Sequence, residues 1–186
     1  MLKFPSLLAL ALVAISTASA LSFYQPQGYI RSFKIIGFTS GYNKDNEVSI
    51  NWIMENGQSK AGANPDTSAA GDSFRWRFLT SDVDSSIFAI QNVQAAAEGK
   101  PACLSAEQAY PPLLKECHQN PNGYLAWKTT RTALDNKGCM AVVNVGNGLD
   151  TAEAKGLYMA RDEGGLTFHS NWNPKVNNNL CWRFAP

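Results

Sequence analysis

Two stretches of the chain set flat polar groups beside aromatic rings. His169, Asn171 and Trp172 crowd into "HSNW", and His118, Gln119, Asn120 and Tyr124 into "HQNPNGY". A ring covers the apolar side of a sugar while amides hold its hydroxyls, so these residue types suit saccharide recognition. The two histidines, His118 and His169, with Glu116 near the first, also resemble the acid and base of a small secreted nuclease. No G-x-S-x-G elbow, metal-ligand spacing or phosphate loop accompanies them. The expectation is binding without catalysis, with no cofactor and no metal.

The composition narrows the partner. The chain has 186 residues and a formal charge of +1, which falls to zero if Lys3 is removed with the leader. A neutral protein lacks the electrostatic footprint for nucleic acid or an anionic membrane. Residues 1–20 combine a short basic start, the apolar run Leu7 to Ile15 and the small residues Ala18-Ser19-Ala20. They read as a secretory signal peptide, too short to span a bilayer. Residues 21–186 then form one secreted domain, with no later segment for membrane insertion. Its four cysteines, Cys103, Cys117, Cys139 and Cys181, are expected to form two disulfides, for which three pairings are open.

The elements that must position these residues recur. Asn64-Pro65, Asn120-Pro121 and Asn173-Pro174 each precede an apolar-x-Trp-basic stretch ending at Trp76-Arg77, Trp127-Lys128 or Trp182-Arg183. Phe33, Phe88 and Met140 open the corresponding units, a period of about fifty residues that marks a repeated architecture. The units run over about 29–80, 85–131 and 137–186. Each contains four short apolar, β-branched or aromatic runs separated by Gly, Pro, Asn and Asp, and these read as strands. The Asn-Pro pairs are turn chemistry. Three units of four strands predict an all-β protein, a pseudo-threefold β-trefoil in which first and fourth strands close a six-stranded barrel. The repeated Trp is then core. That arrangement makes Cys103 and Cys117 neighbours on one hairpin, and Cys139 and Cys181 neighbours on adjacent strands, so both disulfides fall within a repeat.

Within the second unit, Ile90-Gln91-Asn92, Cys103-Leu104, Leu113-Leu114, Cys117 and Trp127 follow the order of a ricin B-type lectin repeat. Residues 88–127 resemble that family, which implies a trefoil and carbohydrate binding. The resemblance sets Phe168 at the family's ring-stacking position, Tyr158 at its acidic position and Asn179 at its amide position. With Asn171 and Trp172 these form the expected primary site, and His118, Gln119, Asn120 and Tyr124 a secondary one. The family's acidic residue is replaced by Ser105 in the second unit, and its Gln before the closing Trp by Phe74, Leu125 and Leu180. The partners implied are glycans or glycoproteins. Two other readings stand beside this one. The first is a trefoil protease inhibitor presenting loop 94–101, 106–112 or 147–154. The second is a toxin subunit or effector that binds a target-cell protein.

Overall fold

Phe, Ile, Val and Trp in short alternating runs fit a pleated, half-buried surface, and these runs become strands. A computed structural model describes residues 22–24, 32–38, 47–107, 112–118, 123–131, 138–146, 157–162, 165–169 and 181–186. The expected signal peptide, residues 1–20, lies outside them. β1 (Phe23–Tyr24) precedes the first unit, which contains β2 (Lys34–Phe38), β3 (Glu47–Glu55), β4 (Gln58–Asn64) and β5 (Trp76–Ser81). The second contains β6 (Phe88–Asn92), the short helix α1 (Val93–Ala97), β7 (Cys103–Leu104), β8 (Leu114–Lys115) and β9 (Trp127–Arg131). The third contains β10 (Met140–Asn144), β11 (Leu157–Asp162), β12 (Gly165–His169) and β13 (Trp182–Ala185).

All thirteen described strands share one antiparallel sheet, along the path β1-β5-β6-β9-β10-β13-β2-β3-β4, with β7, β8, β11 and β12 as side branches. The expectation of a closed trefoil barrel is corrected by this path. It is open, with β1 and β4 at its ends. Where β2 would close onto β5 there is a single bridge, Phe33 to Trp76, in place of a ladder. The outer edge of β5 is shared. β1 takes its last two residues, pairing Phe23 with Ser81 and Tyr24 with Thr80. At its start Trp76 exchanges two backbone hydrogen bonds with Phe33, both 2.9 Å, and beyond this bridge no β2–β5 ladder forms among the described residues.

The closing Trp residues anchor the core. Trp76, Trp127 and Trp182 are fully buried. Each pairs with the residue that opens its own unit: Phe33 with Trp76, Phe88 with Trp127 and Met140 with Trp182. Trp76 Nε1 donates to Ile50 O and Trp127 Nε1 to Leu104 O, both at 2.9 Å. Each bond ties a closing strand to the second strand of its unit. The disulfides join Cys103 to Cys117 and Cys139 to Cys181, as the strand arrangement implied. In the first unit the Asn-Pro pair makes its turn. Asn64 Oδ1 accepts from Asp66 N at 2.8 Å, and Asp66 Oδ1 in turn accepts from Ser68 N and Oγ, which holds the Asp66 carboxyl below its ordinary value.

One glycine is fixed by this packing. Gly37 faces Trp182 across the β2–β13 pair, and a Cβ there would lie 2.3 Å from the indole ring. A fully buried ring has no free space to retreat into. Gly37→Ala is expected to destabilise the protein by about 1–3 kcal/mol, the usual cost of overpacking. Urea denaturation measures it, and an unchanged midpoint would show that the Trp182 site can relax.

Candidate functional site

The short hairpin of the second unit is too small to hold itself. β7 and β8 pair only Cys103 with Lys115 and Leu104 with Leu114, and a two-residue ladder is marginal in water. Three braces hold it. The Cys103–Cys117 disulfide crosses it. Trp127 Nε1 binds Leu104 O beneath it. Beyond the strands, Ser105 N donates to Leu113 O and Ala106 N to Tyr124 O, both at 2.9 Å.

The last of these bonds ties the backbone of the Tyr124 loop to the hairpin. Tyr124 is 38% exposed, and its carbonyl sits against Ala106, one residue from Glu107. Glu107 forms an ion pair with Lys115 at 2.7 Å, both side chains about half-exposed. Ser105 is buried, and its Oγ accepts from Glu107 N at 3.2 Å. The result is an exposed tyrosine in a loop whose backbone is tied to the hairpin that carries a carboxylate and an ammonium. A ring can stack on a sugar, and the charged groups make hydrogen bonds about twice as strong as neutral ones.

Asn144 positions the ring from outside the unit. It ends β10 and is nearly fully buried. Its Nδ2 donates to Tyr124 O and Ala126 O at 2.9 Å and to Gly123 O at 3.2 Å. Asn92 performs the matching task for the first unit, donating to Ser73 O and Arg75 O while its Oδ1 caps α1 through Ala95 N. Both residues were visible as the Asn that ends an apolar strand, "AIQN" and "AVVN". Their role as clamps on the loop of the preceding unit was missed, as were Glu107 and Lys115.

The sequence-derived sites fare unevenly. Of the secondary set, Tyr124 belongs to this cluster and His118 is exposed in the turn after Cys117. Gln119 and Asn120 lie outside the described residues. So do Asn171, Trp172 and Asn179 of the primary set. Tyr158 and Phe168 are placed by their backbone alone, in β11 and β12. They are not cross-strand partners: Tyr158 pairs with His169, and Phe168 with Met159. No cluster of three or more His, Cys, Asp or Glu able to hold a metal occurs among the described residues.

No protein-family model matches the chain, and no curated protein matches it. Among solved structures, it is similar to "SeviL bound to asialo-GM1 saccharide", with a TM-score of 0.52 and 13% identity over 84% of this chain and 97% of that one. At that identity the likeness is one of fold. The resemblance to the ricin B-type family is corrected by these findings and by the open strand path. The reason is legible at the family's polar positions. Phe74 and Leu125 stand where its Gln would be and are buried in the core, and Ser105, at its acidic position, is spent on a turn.

Asn144→Ala removes one hydrogen bond from each of three carbonyls, Gly123 O, Tyr124 O and Ala126 O, which keep only their backbone donors. A typical intramolecular hydrogen bond contributes about 0.5–1.5 kcal/mol net, and a loss of at least that size is expected in urea denaturation. Faster amide exchange at Ala106 and Ala126 should accompany it. Unchanged exchange there would show that the clamp does not hold the Tyr124 loop.

Proposed function

We propose that the protein is a secreted, non-catalytic carbohydrate-binding protein that acts on glycans or glycoproteins. The observation that carries this reading is exposed Tyr124, whose carbonyl accepts from Ala106 N and so ties its loop to the disulfide-braced hairpin that carries the Glu107–Lys115 pair. The fold neighbour is a protein bound to the asialo-GM1 saccharide, which supports the same class of ligand. The two disulfides support an oxidising compartment. No described helix is long and apolar enough to cross a membrane.

Saccharide recognition here rests on preorganisation. A lone shallow site of one ring and a few hydrogen bonds gives a dissociation constant of about millimolar, roughly −4 kcal/mol, so multivalent presentation supplies useful avidity. The residues of the third unit, Trp172, Phe168, Tyr158, Asn171 and Asn179, remain proposed as a second site. They carry the same combination of rings and amides.

One observation favours protease inhibition as the second reading. The segment 106–112 is pinned at both ends, by Ala106 N to Tyr124 O and by Ala61 N to Pro112 O, both 2.9 Å. A loop fixed at its two ends resists cleavage, as an inhibitor loop must. Resistance of the segment to a panel of serine proteases, with inhibition of one of them, would favour this reading.

The decisive measurement is a glycan array probed with the mature protein in multivalent form. Binding is expected, and Tyr124→Ala should weaken it about three- to tenfold, the worth of an aromatic contact. Trp172→Ala should weaken binding at the second site by a similar factor. Failure to bind any glycan would overturn the carbohydrate reading.

A further inference from the structure

The hairpins of the first and second units meet edge to edge. Lys60 of β4 bridges Leu113, and Ala61 N donates to Pro112 O at 2.9 Å, so β3, β4, β8 and β7 make one four-stranded surface. Directly opposed residues in an antiparallel pair share a face, as do residues two apart along a strand. Lys60, Leu113 and Lys115 therefore lie on the same face. Lys60 and Lys115 are diagonal neighbours across the seam, about 7–8 Å apart at the backbone by ordinary ladder geometry.

The two ammonium groups are held in similar ways. Lys60 Nζ donates to Glu55 Oε2 at 2.8 Å, and Lys115 Nζ approaches Glu107 Oε2 at 2.7 Å. The environments of the partners differ sharply. The Lys60 side chain is only 10% exposed, whereas that of Glu55 is 57% exposed. Glu55 adjoins the Asn56-Gly57 turn at the hairpin tip, where both residues have positive φ. The cation is fixed and largely dehydrated, and its carboxylate is free to swing into water.

We propose that this seam is a subsite for an anionic group on the saccharide, a sulfate ester or a sugar carboxylate, with Lys60 and Lys115 as its cationic pair. The inference rests on the carbohydrate reading and specifies its ligand class. An incoming oxyanion replaces Glu55 at Lys60, and the Glu55 carboxylate recovers its hydration. Lys60 stays neutralised throughout, so the exchange avoids the cost of leaving a buried charge unpaired. The gain is the bridge to Lys115, which Glu55 does not supply. A purely structural role explains the arrangement less well. Exposed ion pairs contribute about 0–1 kcal/mol, and an apolar residue in a buried strand position is commonly at least as stabilising as a buried ion. A neutral sugar can accept hydrogen bonds from either ammonium but gains no charge–charge attraction from the pair.

The test is a glycan array carrying neutral oligosaccharides together with the sulfated and sialylated forms of each, probed with the full chain at low and high salt. The anionic forms are expected to bind about tenfold more tightly than their neutral parents at low salt, with the preference shrinking as screening rises. A preference for the sulfated forms alone, or for the sialylated forms alone, identifies which anion the seam takes. Lys115→Gln should bring the ratio of anionic to neutral binding to within about twofold, since a neutral amide keeps a donor but loses the charge assistance. Lys60→Gln should do the same where it folds, and Lys115→Gln decides the matter where it does not. Glu55→Gln should raise the ratio by freeing Lys60. Equal binding of neutral and anionic forms by the unmodified protein, or a preference that survives Lys115→Gln, overturns the subsite and leaves the carbohydrate reading intact. Binding of no glycan in any form overturns both.

Discussion

A fully buried indole must still satisfy its N–H, and that requirement organises this protein. Trp76 and Trp127 occupy the core with no exposed surface, where an unmade hydrogen bond would cost on the order of 1–3 kcal/mol. Each finds its acceptor in the second strand of its own unit, Ile50 O or Leu104 O. The bond fixes more than the ring. It sets how far the hairpin leans over the core and which residues of that hairpin face outward. In the second unit it fixes Leu104, and hence Ser105, Ala106 and Glu107, against the loop that carries Tyr124. The site is thus held by the same contact that completes the core.

The units repeat this contact but not the clamp that accompanies it. Asn92 and Asn144 stand opposite Trp76 and Trp127 and tie down the backbone just before each. The residue opposite Trp182 is Gly37. Any side chain there would occupy the space of the Trp182 ring, so an Asn clamp and that ring position exclude each other. The third junction gives up the clamp and keeps the ring. On the other side of β13, Cys139 and Cys181 form a buried pair. That disulfide links the starts of β10 and β13 covalently.

Much of this frame was legible in the chain. Trp spacing identified the core positions, and the strand arrangement selected both disulfides from three pairings. Short apolar, β-branched and aromatic runs between turn residues located the strands. The open path was not legible, because it ends in β1. Phe23-Tyr24 is a two-residue strand with no periodicity to read, yet it takes Thr80 and Ser81 on the outer edge of β5. Nor was the seam between hairpins legible. Lys60 to Leu113 is a contact between units, and nothing in either local sequence specifies its partner. Glu107 and Lys115 looked like ordinary solvated charges, and only their register makes them a pair. The Ser105 substitution was noticed as the loss of an acidic ligand. Its positive role, accepting from Glu107 N and so turning that carboxylate toward Lys115, required coordinates.

A weak saccharide site of the kind proposed would need much scaffolding, and the second unit supplies it. A sugar offers water-like hydroxyls, so each hydrogen bond to it replaces one to solvent and the net gain is small. Any freedom lost by the protein on binding would consume that gain, at about 0.5–1.5 kcal/mol for each long side chain immobilised. A two-residue hairpin on its own would fluctuate too widely to avoid this loss. Here the disulfide, the Trp127 bond, the Asn144 clamp and the pinning of Ala106 all converge within a few residues of Tyr124. The ordering is completed when the chain folds, so it is not charged again to the ligand. The same logic explains why the shortest strands in the unit lie under the exposed ring. Long ladders would order the backbone but leave no loop to present a side chain, whereas short strands with external braces give a rigid backbone and an accessible face together.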